Sequence, residues 1–204
     1  MTFWDFCAPL YDFFQGRNKS AYTQMLKTVR GVIPADSTVL EVATGTGEIG
    51  LAVANKVKTI LCTDISEKML RIARKKAKKQ GISNARFGNL NIFDTRKPDN
   101  AFDVVIAGQV LHLIDEPHKA AAELMRITKD MVILPISFTK GLRGKAKLSV
   151  NLYRLFGFSP KVEFDLDSYV EFLPKIGFEN CEIIQINGKI PMVVAIWRKG
   201  GELA

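Results

Sequence analysis

Short apolar runs alternate with amphipathic stretches along most of the chain. Apolar runs of a few residues bounded by turn residues indicate buried strands, and apolar residues spaced three or four apart indicate helices. The predicted strands are 38–42, 59–63, 85–88, 102–107, 131–138, 182–186 and 192–198, and the predicted helices are 20–32, 48–56, 67–80, 118–127 and 168–175. This alternation predicts an α/β fold: a doubly wound, Rossmann-like, seven-stranded, mostly parallel sheet with an antiparallel C-terminal strand and helices on both faces.

The turn residues divide this pattern further. Asn187-Gly188 lies between the last two strands and is a strong signal for a hairpin. Ser66 stands where it would cap the third helix. The rhythm of strands and helices stops in a basic and aromatic stretch, 139–167, which we interpret as an insertion that is helical around 147–156. We expect one domain over 1–204, with 1–33 as an N-terminal cap segment.

Composition excludes several classes of protein. No stretch approaches the roughly 20 apolar residues that cross a bilayer, and the N-terminus lacks the features of a secretion signal. The three cysteines, Cys7, Cys62 and Cys181, are scattered, which argues against a disulfide framework. Two histidines and dispersed cysteines also leave no plausible metal cluster. We therefore predict a cytoplasmic protein without a catalytic metal.

The chain has 29 Lys and Arg against 21 Asp and Glu, a net charge of +8. Much of the excess lies in residues 74–79 of a predicted helix, which we interpret as a solvated face that complements the helix dipole. Aromatic residues do not interleave with these charges, so no nucleic-acid partner is expected. Lys140, Arg143, Lys145 and Lys147 are interpreted as a solvated loop, with weak association with a membrane surface or an anionic ligand as the alternative.

Candidate chemistry begins at the segment 39–47, Val-Leu-Glu-Val-Ala-Thr-Gly-Thr-Gly, which leads from a strand into a helix. In an open α/β sheet this turn lies at the carboxyl ends of the strands, where ligands bind. The next strand ends at Asp64, whose carboxylate can accept both hydroxyl hydrogens of a ribose diol. The spacing therefore predicts a cofactor that carries a nucleoside.

Two kinds of nucleoside cofactor remain at this point. Gly45, Gly47 and Gly50 form a literal GxGxxG, the weak fingerprint of a dinucleotide site, so a nicotinamide-dependent oxidoreductase is one alternative. Glu48, however, stands at the start of the helix, where its charge would repel a pyrophosphate. Glu41, at the end of the strand, suits a ligand with nearby cations, such as the ammonium and sulfonium of S-adenosylmethionine.

The motifs resemble those of class I S-adenosylmethionine-dependent methyltransferases, and most closely the small-molecule branch that includes the quinone-biosynthesis methyltransferases. The resemblance rests on 39–47, on Asp64-Ile-Ser-Glu-Lys-Met-Leu70, and on 102–105 and 110–113, and it covers about 11–138. It implies S-adenosyl-L-methionine as the cofactor and methyl transfer to a small-molecule acceptor by in-line displacement at the sulfonium methyl. We expect the insertion 139–167 to cover the acceptor site.

The resemblance also implies roles for individual residues. Glu41 and the Gly45/Gly47 turn would hold the methionine end, Asp64 would bind the ribose, Ile65 and Leu90 would enclose the adenine, and Asn89 would accept a hydrogen bond from its amine. Ala43 stands where the family usually has its first glycine. The remaining predicted cofactor contacts are Tyr11, Thr44, Met69 and Gln109.

His112, just past the fourth strand, is the candidate general base. The alternative interpretation of His112 is a polar residue that packs the strand exit or contacts the cofactor, and His118 is expected on the surface. A binding protein that keeps the fold without catalysis is a further alternative, motivated by Ala43 and Asn89. An RNA or protein methyltransferase is disfavoured, because no Asn-Pro-Pro-Tyr-type motif follows the fourth strand.

Overall fold

The computed structural model describes residues 18–144, 147–148, 150–151 and 160–201 of the chain. The strands are β1 Thr38–Val42, β2 Thr59–Thr63, β3 Ala85–Gly88, β4 Phe102–Ala107, β5 Thr128–Ser137, β6 Glu182–Ile186 and β7 Met192–Arg198. The helices are α1 Lys19–Val32, α2 Glu48–Ala54, α3 Glu67–Lys79, α4 Pro117–Ile127 and α5 Leu166–Lys175, with a 3-10 turn at Leu111–Leu113.

The strands form one seven-stranded sheet in the order β3-β2-β1-β4-β5-β7-β6. β7 runs antiparallel to β5 and β6, while the pairs among β1 to β5 are parallel. The predicted fold class is thereby confirmed. Parallel strands need both faces covered, which explains why β1 and β4 read as almost continuous apolar runs.

Two apolar cores lie on opposite faces of this sheet. Side chains alternate between the faces along each strand, so Val39 of β1 joins one core and Leu40 joins the other. The first core includes residues of α1, α2 and α3, and the second includes residues of α4 and α5. The helices are held by buried residues at helical spacing, as Ala21, Met25 and Val29 show for α1.

Some predicted element boundaries were wrong by a few residues. β5 begins at Thr128, three residues early, because polar Thr128 pairs with Phe102 of β4 while its hydroxyl donates to the Leu124 carbonyl at 2.6 Å. α5 begins at Leu166, inside the predicted insertion, because Asp165 supplies the cap through a reciprocal capping box with Ser168. α2 ends at Ala54, two residues early, and Ser66 caps α3 as predicted.

The predicted hairpin between β6 and β7 is present, but its turn is longer than the Asn187-Gly188 signal suggested. Five residues, 187–191, connect the strands. The loop packs on α1: a Cβ built on Gly188 would lie 2.6 Å from the Ala21 Cβ, and the Asn18 amide donates to the Ile190 carbonyl at 2.8 Å. Glycine at position 188 therefore serves a close approach between loop and helix.

Most of the helix predicted around 147–156 lies outside the described residues, and so does most of the proposed cap segment, including Tyr11. Within the described ranges, none of the helices combines the length and the apolar character that a membrane span requires.

Candidate functional site

The turn between β1 and α2 is held in shape by backbone hydrogen bonds. Thr44 N–H donates to the Thr63 carbonyl at 2.8 Å, and Gly47 N–H donates to the Thr44 carbonyl at 2.9 Å. Gly45 and Gly47 have positive φ angles of 55° and 84°. A Cβ on Gly47 would lie 3.0 Å from the Ala73 Cβ of α3, so this position requires glycine both for its conformation and for packing.

Ala43 begins the same turn and adopts a left-handed backbone conformation, with φ of 51°. A residue that carries a Cβ is strained there by roughly 1–2 kcal/mol. The alanine is exposed, so its methyl group borders the open side of the turn. The departure from the glycine of the family therefore has a structural cost here.

Asp64 lies at the end of β2 beside this turn, and its side chain is fixed by two main-chain donors. One carboxylate oxygen accepts from Gly45 N–H at 2.8 Å and the other from Ser66 N–H at 2.8 Å. Each carboxylate oxygen has two lone-pair positions, so these bonds orient the group and leave acceptor capacity. The residue is 7% exposed. A polar group of a ligand at this edge would meet an oriented carboxylate.

Asn89 and Ile65 continue the site toward β3. The Asn89 amide donates to the Asp64 and Ile65 carbonyls, each at 3.1 Å, which holds the two strand exits together. The Ile65 side chain is left 55% exposed. At the ends of β2 and β3 lies a cavity of about 420 Å³ whose lining includes Thr63, Asn89 and Leu90.

Glu41 lies beneath the turn, and its carboxyl group faces the protein interior. The Thr44 hydroxyl donates to it, and it also accepts from the Gly50 N–H and the Cys62 thiol. Burial raises its pKa to about 8. A Cβ on Gly50 would lie 2.4 Å from this carboxylate, so the third glycine of the GxGxxG allows α2 to pack on β1. Glu41 thus braces the turn, and its contact with a ligand cation stays a prediction.

Glu48, at the start of α2, forms an ion pair with Lys76 of α3, whose ammonium also donates to the Thr46 hydroxyl at 3.0 Å. The charge that argued against a pyrophosphate is therefore balanced by a neighbouring cation. Repulsion by Glu48 is consequently a weaker argument against a dinucleotide than the sequence suggested.

The exit of β4 is fixed by side chains from distant parts of the chain. Gln109 has φ of 56°, and its amide makes two bonds with Ser137 of β5: it donates to the hydroxyl at 2.9 Å and accepts from the backbone N–H at 3.1 Å. The side chain predicted to touch the cofactor is thus engaged by β5, and its cofactor contact stays a prediction.

His112 follows in the 3-10 turn and is 8% exposed. Burial lowers its pKa to about 4, so the imidazole is uncharged near neutral pH. Its carbonyl accepts from the backbone N–H groups of Lys161 and Val162 at 2.9 and 3.3 Å. Two residues of the 139–167 segment therefore lie directly against the candidate base. His118 is exposed, as expected.

The structure brings Thr44, Gly45, Asp64 and Asn89 into one hydrogen-bonded group at the ends of β1, β2 and β3. Gln109 and His112 lie at the exit of the neighbouring β4, and Met69 is buried in α3. No sequence motif pointed to a site role for Cys62, Lys76 or Ser137. The contact of Cys62 with Glu41 could have been expected from the pairing of β1 with β2. Glu41 and Cys62 are neighbours in the parallel register, and neighbours in register share a face of the sheet.

Among the described residues, no group of three His, Cys, Asp or Glu side chains is placed to hold a metal ion.

Comparisons with known proteins point to one class. Residues 39–131 match the family model of a methyltransferase domain. The ubiquinone/menaquinone biosynthesis C-methyltransferase of Rickettsia bellii is 29% identical over 144 residues, which cover 66% of this chain and 57% of that protein. The chain therefore spans little more than half the length of this relative.

Solved structures show the same fold, and the more similar of the two below in sequence is named as the same class. A SAM-dependent methyltransferase from Aquifex aeolicus is 25% identical, with a TM-score of 0.63 over 86% of this chain and 88% of that one. A putative S-adenosyl-L-methionine-dependent methyltransferase from Methanococcus maripaludis is 17% identical, with a TM-score of 0.72 over 100% of this chain and 97% of that one. The resemblance to class I S-adenosylmethionine-dependent methyltransferases, including those of quinone biosynthesis, is confirmed.

Proposed function

We propose that the chain transfers a methyl group from S-adenosylmethionine to a small-molecule acceptor. The observation that carries the proposal is the Asp64 carboxylate, fixed by Gly45 and Ser66 N–H groups beside a left-handed glycine turn at the carboxyl edge of the sheet. The name methyltransferase is shared by the matched family model, the Rickettsia bellii relative and the Aquifex aeolicus structure, so the nicotinamide alternative is not favoured.

The residues at the ends of β2 and β3 suit the nucleoside part of this cofactor. The remaining lone pairs of Asp64 would accept the two ribose hydroxyls. Ile65 and Leu90 would enclose the adenine, and burial of the exposed Ile65 side chain would favour binding. The Asn89 amide donates to two carbonyls, which leaves its oxygen to accept from the adenine amine.

The turn at 43–47 would hold the methionine end. Its left-handed residues place the main chain at the surface of the site, and Ala43 is exposed there. Glu41 and Thr44 support the turn from below. Met69 and Gln109 would contribute through the shape of the site's walls, and the resemblance assigns Tyr11 to a segment that closes over the cofactor.

When bound, S-adenosylmethionine supplies a methyl group already activated for transfer. The chain's own residues have to orient the two reactants and exclude water, and such orientation can lower a barrier by roughly 7–11 kcal/mol. His112 is proposed to accept the proton that the acceptor loses. Its lowered pKa keeps the imidazole in the proton-accepting form near neutral pH.

The proposal extends to the location and the domain organisation of the protein. We infer a cytoplasmic protein with a single domain over 1–204, in which 139–167 covers the acceptor site. The contact of Lys161 and Val162 with the His112 carbonyl supports this placement of the segment.

Binding and transfer are tested separately. In isothermal titration, S-adenosylhomocysteine should bind and NAD should not. Both ligands carry an adenosine, so the discrimination would come from the turn at 43–47, which is proposed to hold an amino-acid end and not a pyrophosphate. Preferential binding of the dinucleotide would contradict the proposal. With labelled S-adenosylmethionine and a panel of quinols, phenols, thiols and amines, label should move to one acceptor class. Tight cofactor binding with no transfer to any acceptor would instead favour the non-catalytic alternative.

A further inference from the structure

Helix α3 holds most of the chain's excess positive charge. Its 13 residues, Glu67–Lys79, include seven basic side chains and one acidic side chain, a net charge of +6 against +8 for the chain of 204 residues. The rest of the sequence is therefore almost neutral overall. The excess is a local property of one helix.

The exposed part of this charge forms a single stripe. Arg74 pairs with Glu67, and Lys76 pairs with Glu48. The other five basic residues are exposed and make no ion pair with any residue that the structure describes: Lys68, Arg71, Lys75, Lys78 and Lys79. At 100° per residue they fall within an arc of roughly 100°, and at 1.5 Å per residue the stripe is about 17 Å long.

The orientation of the stripe is set by the packing of α3. Met69, Leu70, Ala73 and Ala77 are buried on the opposite side of the helix. The five cations, which we call the α3 stripe, therefore project away from the sheet. Neighbours three or four residues apart lie about 5–6 Å from each other, which is less than the Debye length of about 8 Å at physiological salt, so their fields add.

We propose that the α3 stripe docks the protein on an anionic lipid surface. A straight, flat row of closely spaced ammonium groups matches a plane of negative headgroups, and such polybasic clusters gain affinity with every Lys or Arg near the surface. The proposal rests on charge complementarity and does not depend on the proposed reaction.

The composition of the stripe favours lipid over nucleic acid. α3 contains no aromatic residue that stacks on bases. Four of the five cations are lysines, which act as point charges and so suit a diffuse layer of negative headgroups.

Docking through α3 has a consequence for the candidate site. α3 begins three residues after Asp64, and Lys68 lies in its first turn. The lipid surface would therefore run beside the edge of the sheet that carries the site. An acceptor that partitions into the lipid surface would be concentrated next to it.

The test is co-sedimentation with vesicles of phosphatidylcholine alone and of phosphatidylcholine with phosphatidylglycerol, at physiological salt. The wild-type chain should sediment with the anionic vesicles only. A variant with Lys68→Gln, Lys75→Gln, Lys78→Gln and Lys79→Gln should bind them about tenfold more weakly or worse. The matched control removes the same charge from exposed lysines elsewhere, through Lys19→Gln, Lys27→Gln, Lys58→Gln and Lys189→Gln.

Thermal unfolding establishes that both variants are folded before binding is compared. Binding retained by the control and lost by the stripe variant supports the proposal. An equal loss in both variants overturns it, because net charge rather than the stripe would then determine binding. Tighter association with an RNA duplex than with the anionic vesicles at the same salt also overturns it, in favour of a nucleic-acid surface.

Discussion

The two halves of the sheet's carboxyl edge are built in different ways. At the ends of β1 and β2, Asp64 is held by main-chain donors of Gly45 and Ser66. Gly45 lies in the turn that follows β1, and Ser66 lies in the turn that follows β2. At the ends of β4 and β5, Gln109 is held by Ser137, and the turn of His112 is held by residues near 161, some 49 positions away. The first half is made of glycine turns and carboxyl groups, and the second of contacts, both main-chain and side-chain, between segments distant in the sequence.

The electrostatics of the two halves differ as well. Burial raises the pKa of Glu41 to about 8 and lowers that of His112 to about 4. Both groups are therefore mainly uncharged near neutral pH, for the same reason: desolvation disfavours the charged form. In the proposed function, the half at β1 and β2, which we call the cofactor half, is prepared by main-chain hydrogen bonds that orient Asp64. The half at β4 and β5, which we call the acceptor half, would offer a neutral proton acceptor.

The largest expected effect is on turnover in the acceptor half. His112→Ala should slow methyl transfer by about 10²–10⁴-fold with little change in affinity for S-adenosylhomocysteine, because a positioned base contributes about this much. Initial rates with labelled cofactor measure it. His118→Ala, at an exposed position, is the control and should leave the rate unchanged. Unchanged turnover in His112→Gln and His112→Ala would assign His112 to packing.

The next effect concerns stability and pH in the cofactor half. The pKa of Glu41 is higher in the folded state than in the unfolded state. The contribution of this group to the stability of the folded chain is therefore complete below about pH 4.5 and is lost as pH rises through 8. Glu41→Gln should therefore gain stability relative to wild type between pH 5 and 9, by a few kcal/mol. Thermal unfolding across this range measures the difference.

Glu171→Gln, at an exposed position, is the control and should show no such trend. The pH dependence from His112 should have the opposite sign, because the pKa of His112 is lower in the folded state. Its buried imidazole should destabilise the folded chain as pH falls from 6.5 toward 4. A Glu41→Gln difference that stays constant with pH would mean that this carboxyl group is not buried in its neutral form.

A smaller effect is expected on cofactor affinity. Asp64→Ala removes the proposed ribose acceptor and the partner of two N–H groups, so S-adenosylhomocysteine should bind more weakly by about 1–3 kcal/mol. Isothermal titration measures this, with Asp130→Ala at an exposed position as the control. Equal affinity in the Asp64 variant and wild type would remove Asp64 from the cofactor site.

The smallest effect is at the strained start of the turn. Ala43→Gly should stabilise the folded chain by roughly 1 kcal/mol, because glycine adopts the left-handed conformation without the Cβ clash. The matched change Ala52→Gly, inside α2, should instead destabilise by about 1 kcal/mol. If chemical denaturation shows both variants destabilised alike, the backbone at position 43 is not left-handed in solution.

The strands, the order of the elements and the turn at 43–47 could all be predicted from the sequence. Six of the seven strands have the predicted bounds, because buried parallel strands are continuous apolar runs bounded by turn residues. The glycines and Asp64 were visible for a similar reason, since unusual backbone angles and a carboxylate at a strand end leave a local signature.

How those residues are used is set by the folded structure. It turned the Glu41 carboxyl group inward onto Thr44, Gly50 and Cys62, paired Glu48 with Lys76, and tied Gln109 to Ser137. These contacts join residues that no periodicity links, because packing across the sheet and between helices sets which side chains meet. Burial, and with it the neutral state of Glu41 and His112, follows from that packing alone.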